Sequence, residues 1–302
     1  MRRSLSVLAL SAALAVLAGC SDDGGQVRSE GGGSGSGSTG SGSGLSASDL
    51  GTQSSNQDVT AATNQYRTYV QGEVTALRAA AKKFTDAVRA GNVAEAKKQY
   101  APSRVSWERI EPIAGLVEEI DVAVDARVDD FAGVDDPKWT GWHKLEYLLW
   151  KKNTTAGGAA LATKLDTDLA TLDTRLKTVD ITPKAVALGA GALIEEVSEG
   201  KITGEEDRYS RTDLWDFAAN VEGSKAAYTV FKPILAAKNP TLTTALDSGF
   251  TAVEGSLKPY QVAGGGYQSY TALKPADKTR MQAQLAALSE ELAKVPAALG
   301  VA

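Results

Sequence analysis

One cysteine, one histidine and two methionines occur in 302 residues. A single cysteine excludes an internal disulfide framework, so the fold has to be held by its core. A single histidine excludes any site that needs two imidazoles, including the His-Glu-x-x-His arrangement of zinc peptidases. It also leaves His143 as the sole imidazole base for hydrolytic chemistry, and no Ser-His-Asp triad or Cys-His pair of the usual kind is evident. No basic cluster marks a nucleic-acid surface, and 32 Lys and Arg stand against 37 Asp and Glu. The apolar run from Leu5 to Ala18 is too short for a comfortable transmembrane helix. No sustained apolar-polar alternation bounded by turn residues argues for a sheet.

What is present begins with a processing signal. Arg2 and Arg3 precede the apolar run, which ends in Leu17-Ala18-Gly19-Cys20. Small residues before a cysteine at that point resemble a bacterial lipobox. Residues 1–20 are therefore expected to be a lipoprotein signal peptide, with Cys20 the lipidated first residue of the mature chain. Loss of Arg2 and Arg3 leaves 30 basic against 37 acidic side chains, a net charge of −7. Residues 21–55 are rich in Gly and Ser, with "GGGSGSGSTGSGSG" at 31–44. Such composition cannot bury enough apolar surface to order itself, and it is expected to be a disordered tether with a reach of roughly 30–35 Å. Together these features predict an extracytoplasmic protein, lipid-anchored to a bacterial membrane.

The remaining chain, 56–302, reads as all-α. Ala, Leu, Lys and Glu dominate, and apolar residues recur at helical spacing. Helices are expected near 57–90, 93–129, 159–178, 183–200, 211–238, 241–262 and 275–295, with a further one carrying His143 after a loop at 131–138. Gly91 ends the first and Asn92 caps the second. Pro102 and Pro112 are expected to interrupt or bend the second stretch. Thr182-Pro183 and Asn239-Pro240 are helix starts. Eight or so helices predict two antiparallel four-helix bundles, in approximate halves 56–156 and 157–302.

Chemistry concentrates in three places. In "GWHKLEYLLW", 141–150, His143 and Glu146 stand three apart on one helix face, where an imidazole and a carboxylate can meet one cation. The same pattern also suits a core histidine bonded to a nearby carboxylate. In "SWERIEPIAG", 106–115, Glu108 and Glu111 repeat the spacing beside Trp107 and Ile110. Arg104 or Arg109 could instead partner them on a solvated face. Asp121, Asp125 and Asp129 form one acidic stripe, read as an exposed polar face unless a cation lies between them. In 200–217, Glu205, Glu206 and Asp207 precede a helix that Ser210 or Thr212 could cap, with Asp213 and Asp216 in its first turns.

The segments "WERIEPIAG", "DARVDD", "GWHKLEYLLW" and "KITGEEDRYSRTDLWDFAANVEG", in that order, resemble the imelysin-like domain of the EfeO/EfeM iron-uptake proteins. The resemblance covers roughly 57–300. It implies two four-helix bundles with a metal-binding cleft, and a metal site of His143, Glu146, Glu108, Glu111, Asp125 and Glu206, with Glu205 the adjacent alternative to Glu206. It implies iron, Fe2+ or Fe3+, as the bound metal, with other divalent metals able to fit the same ligands. It also implies an EfeU-type iron permease and an EfeB-type haem peroxidase as partners. The cupredoxin domain of some EfeO proteins has no counterpart here: the Gly/Ser tether stands in its place. The expected role is non-enzymatic iron binding and delivery. Two other readings remain: a metal-dependent peptidase, a label the family has carried, and a cell-wall or polysaccharide binder, because four of five tryptophans lie between 107 and 150.

Overall fold

Asn56 opens the first helix, its side chain accepting from the backbone N–H groups of Asp58 and Val59. The computed structural model describes residues 51–302; the signal segment, Cys20 and residues 21–50 lie outside the described residues. The last residues of the expected tether already touch the fold, since Gln53 donates to Asp180 and to the Ile181 carbonyl.

Helix α1 (Gln57–Arg89) buries Tyr66, Val70, Val74, Leu77, Phe84 and Val88 along one side, as apolar spacing predicts, while Tyr69, expected in the same stripe, is only half-buried. Asn92 caps α2 (Val93–Ile110) by accepting from Glu95 N–H. Helix α2 continues past Pro102 without a break, and the chain leaves the α-helix only near Pro112, where a 3-10 turn (Glu111–Val117) begins. α3 (Glu118–Asp125) then ends far short of residue 129. α4 (Gly141–Glu146) is a turn and a half long and passes into a π-helical turn at Tyr147–Lys151. α5 (Gly158–Leu176) follows. Thr182 caps α6 (Pro183–Glu199), and Asn239 caps α8 (Pro240–Leu257), both with proline in the first turn. α7 (Asp213–Lys238), α9 (Pro275–Leu292) and the short α10 (Val295–Leu299) complete the chain.

Residues 51–302 lie within one compact unit. α1 packs on α2 and α5, and α3 and α4 close that group against α5. α6, α7, α8 and α9 form a second ring, each packed on the next and α9 back on α6. The groups join where α2 crosses α7 and where the 3-10 turn Glu111–Val117 lies on α6 and α7. Among the described residues there is no strand, only an isolated Gln261–Tyr267 bridge, and hence no cupredoxin domain. No helix among them is long and apolar enough to cross a membrane.

Small residues set the close crossings. A Cβ at Gly223 on α7 would sit 2.2 Å from the Arg109 carbonyl oxygen, and one at Gly189 on α6 would sit 1.7 Å from that of Pro112. Gly141 combines a positive φ of 79° with a Cβ position 2.1 Å from the Val124 carbonyl oxygen. No L side chain fits there, and this contact fixes α4 against the end of α3.

Gly223→Ala should lower stability by about 1–3 kcal/mol, because overpacking at backbone contact outweighs alanine's helix preference. Gly72→Ala, exposed and with nothing within 4 Å of the added methyl, should raise it by up to about 1 kcal/mol. Paired thermal melts by circular dichroism read both changes; equal shifts would contradict the crossing geometry.

Candidate metal centre

Helix α2 places Tyr100, Arg104 and Glu108 at four-residue spacing on the face that looks toward α7. All three are fully buried. Arg104 reaches carboxylates from four elements. It pairs with Glu108 on its own helix and with Asp125 at the end of α3. It also pairs with Glu206 at 3.3 Å in the loop before α7, and with Asp216 at 3.3 Å on α7. Burial disfavours its charge, but Asp125, Asp216 and Glu108 outweigh burial and keep the guanidinium protonated.

Glu108 and Glu111 form a separate wing. Lys201 Nζ lies 2.6 and 2.7 Å from the two Glu111 oxygens and 3.2 Å from Glu108 Oε2. Asn220 Nδ2 donates to Glu108 Oε2 at 2.9 Å and to Glu111 Oε2 at 2.6 Å. Burial opposes the lysine charge, and Glu108, Glu111 and Glu206 together override it. These two glutamates, expected as ligands, are thus held by an ammonium and an amide and lie outside the groups that surround the imidazole.

His143 is 2 % exposed and has carboxylates at both ring nitrogens. Nε2 lies 3.4 Å from Asp125 Oδ1 and 3.5 Å from Glu206 Oε1. Nδ1 lies 3.6 Å from Glu146 Oε2, 3.9 Å from Asp207 Oδ1 and 3.4 Å from the Tyr100 hydroxyl. Two groups of possible ligands result, Asp125-His143-Glu206 and His143-Glu146-Asp207. Burial and Arg104 push the imidazole pKa down, yet Asp125, Glu146 and Glu206 prevail and hold it well above the usual histidine value. Burial would raise Asp125, but Arg104 and His143 hold it well below the usual carboxylate range; Lys201 and His143 depress Glu206 in the same way.

The surrounding hydrogen bonds fix these positions. Trp107 Nε1 donates to Asp125 Oδ2 at 2.8 Å, and Arg127 to Glu206 Oε2 at 3.1 Å. Glu146 Oε1 accepts the backbone N–H groups of Tyr209 and Ser210 at 2.9 and 2.6 Å. Glu146 Oε2 and His143 Nε2 have no hydrogen-bond partner although buried. Unsatisfied polar atoms at such depth are costly. A cation held by one nitrogen of the imidazole and the carboxylates beside it would satisfy the atom on that side of the ring, and the donor set suits iron. The residues present therefore fit the expected metal.

The structure sorts the acidic segments. Glu206 is buried and Glu205 exposed. Asp121 and Asp125 are buried rather than part of a solvated face, because that side of α3 turns inward, Asp125 to Arg104, Trp107 and His143 and Asp121 beside Asp125 and Lys201; Asp129 pairs outward, with Arg208. Thr212 stands at the N-cap position of α7 but makes no cap bond, and its hydroxyl donates to Asp207 instead. Tyr100, Lys201, Asp207 and Asn220 belong to the site yet carry no local motif that marks them; the failed cap at Thr212 and the buried lysine are visible only in three dimensions. Two surface cavities of about 340 and 480 Å³, sharing Glu222, Gln261 and Tyr267, are lined by none of the clustered residues.

Two helical bundles joined over an imidazole ringed by buried carboxylates define a class of helical protein with a candidate cation site at its centre. The chain belongs to the imelysin family, whose model matches residues 62–295. It is 44% identical over 238 residues to the iron uptake system component EfeO of Yersinia pseudotuberculosis serotype I (strain IP32953), covering 78% of this chain and 63% of that protein. The EfeO proteins of Escherichia coli (strain K12) and Shigella flexneri are likewise 44% identical over 237 residues, with the same coverage. The chain spans about 63% of the length of these curated relatives.

The buried acids also make stability depend on pH. Burial, and then the neighbouring Asp125, push Asp121 up to about 9; burial raises Glu196 and Asp213 to about 7. Unfolded carboxyls titrate near about 4, so the folded state holds more protons from there up to these values. Stability from these groups is therefore complete below pH 4 and is lost as pH rises through 7 and 9. His143, with its raised pKa, acts in the same direction. The melting temperature of metal-free protein should fall steadily between pH 5 and pH 9, and Asp121→Asn should flatten the upper part of that fall. A melting temperature that rises over this range would contradict the buried placement.

Proposed function

We propose that the protein binds iron at the His143 cluster and delivers it, as cargo, to a membrane permease of the EfeU type. The observation that carries this reading is a buried imidazole with carboxylates at both nitrogens, Asp125 and Glu206 at one and Glu146 and Asp207 at the other, where Glu146 Oε2 accepts no hydrogen bond. The relatives' description as iron uptake components supports iron over other cations. Binding would release protons, because the imidazole must give up its own before it can ligate. Affinity should therefore rise with pH across the neutral range.

The role is non-enzymatic in this reading. One imidazole, enclosed by carboxylates, serves to hold a cation rather than to activate water beside a second histidine. An EfeB-type haem peroxidase is the further partner of the system. The chain works outside the cytoplasm, anchored through Cys20, with residues 21–50 as the spacer to the folded part.

Isothermal titration of iron into metal-free protein should show binding that weakens at least about tenfold in His143→Ala and in Glu146→Gln. Unchanged binding in both variants would sink the site. For the anchor, Cys20→Ser should move the protein from the membrane fraction to the soluble one after fractionation. Retention in the membrane fraction would count against lipidation.

A further inference from the structure

The two nitrogens of His143 do not face equivalent surroundings. Ligand bonds of about 2.1 Å place neighbouring donor atoms of a four-coordinate site about 3.4 Å apart. Both faces of the ring meet that spacing: 3.4 and 3.5 Å to Asp125 and Glu206 from Nε2, and 3.4 to 3.9 Å to Tyr100, Glu146 and Asp207 from Nδ1. Charge separates them.

On the Nε2 face both oxygens already serve cationic groups. Asp125 Oδ1 takes Arg104 Nη1, and Glu206 Oε1 lies 3.3 Å from Arg104 Nη2 and 3.9 Å from Lys201. The other Glu206 oxygen accepts from Arg127. A metal ion placed there would share each oxygen with a buried positive charge that cannot leave to solvent. On the Nδ1 face, Glu146 Oε2 accepts no hydrogen bond and lies 3.6 Å from the ring nitrogen itself, its other oxygen being fixed by two backbone N–H groups. Asp207 Oδ1 accepts the Tyr100 hydroxyl at 2.8 Å, with Arg104 Nε more distant at 3.8 Å and Asp216 a further hydrogen-bonding neighbour of this carboxylate. Thr212 holds the second Asp207 oxygen.

Resting on the iron-binding reading above, we propose that the cation sits on the Nδ1 face of His143, held by Glu146, Asp207 and the phenolic oxygen of Tyr100. Asp125 and Glu206 are then positioning residues: they accept the Nε2–H and set the ring's tautomer and orientation, as carboxylates behind metal-bound histidines do. Phenolate oxygen is an iron ligand in its own right. In the binding step the His143 Nδ1–H and Tyr100 O–H bonds break and both protons pass to the buffer, while iron–nitrogen and iron–oxygen bonds form and nitrilotriacetate or water leaves the iron. No electron is transferred.

Ferric nitrilotriacetate added to the full chain tests this by colour. Wild-type protein should develop a visible phenolate-to-iron charge-transfer band that saturates at one iron. Tyr100→Phe, which keeps the ring and its packing, should bind iron without the band and release one proton fewer. Asp207→Asn should lose at least about tenfold in affinity, and more than Asp125→Asn or Glu206→Gln. An iron-loaded wild-type protein lacking the band overturns the ligand assignment while leaving iron binding intact. So does a loss in Asp125→Asn or Glu206→Gln that exceeds the loss in Asp207→Asn. Failure of wild-type protein to take up iron overturns the functional reading and this assignment with it. Because the band is read on unaltered protein, the test holds even where a variant fails to fold.

Discussion

Arg104 is a permanent positive charge with no exposure to water, and the arrangement of the centre follows from how it is compensated. A buried guanidinium survives only if nearly every donor meets an acceptor. Here the acceptors come from α2, the end of α3, the loop before α7, and α7 itself. These elements are up to 112 residues apart in sequence. The ion pairs therefore specify the junction between the two bundles, a task that apolar packing alone leaves loosely defined. Gly189 and Gly223 do the complementary part, letting helix backbones approach closely enough for short side chains such as Asp216 and Asn220 to reach across.

Compensation at the junction is incomplete. Nine carboxylates are buried among the described residues, against Arg104, Lys201 and His143 as the buried basic groups. Burial forces part of the excess into the protonated form, which is why Asp121, Asp213 and Asp216 are pushed upward. Asp125 and Glu206, by contrast, are kept ionised by their cationic neighbours.

The helices were legible because their signals are local. Asn56, Asn92, Thr182 and Asn239 cap helices that apolar periodicity already outlines. Pro102 misled, because a proline within a tightly packed helix can be tolerated when the surrounding contacts outweigh one missing donor. In the site, His143, Glu146, Asp125 and Glu206 were legible through motif spacing and family resemblance. For Glu108 and Glu111 the sequence left burial and a solvated face both open and offered Arg104 as a partner, which Glu108 has, but Lys201 and Asn220 were not visible. Lys201 lies 90 residues from Glu111, and nothing in "GKITG" distinguishes a buried lysine from a solvated one. Asp207 was hidden by its neighbour, since in an irregular loop no periodicity says which of three consecutive acids turns inward.

That loop is where local sequence and site chemistry meet most closely. Glu206 and Asp207 leave one stretch of backbone toward opposite nitrogens of the same imidazole, and Tyr209 and Ser210 return their N–H groups to Glu146. Thr212 gives up its capping bond to hold Asp207, and Asp213 accepts the Asp207 N–H instead. A helix start that spends its capping side chain on a carboxylate loses local stability of about 1 kcal/mol. That loss is offset only if the carboxylate's position matters to the structure as a whole. Thr212 thus orders Asp207 while the backbone of the same loop holds Glu146 through Oε1, and the Nδ1 side of His143 is left the less compensated face of the ring.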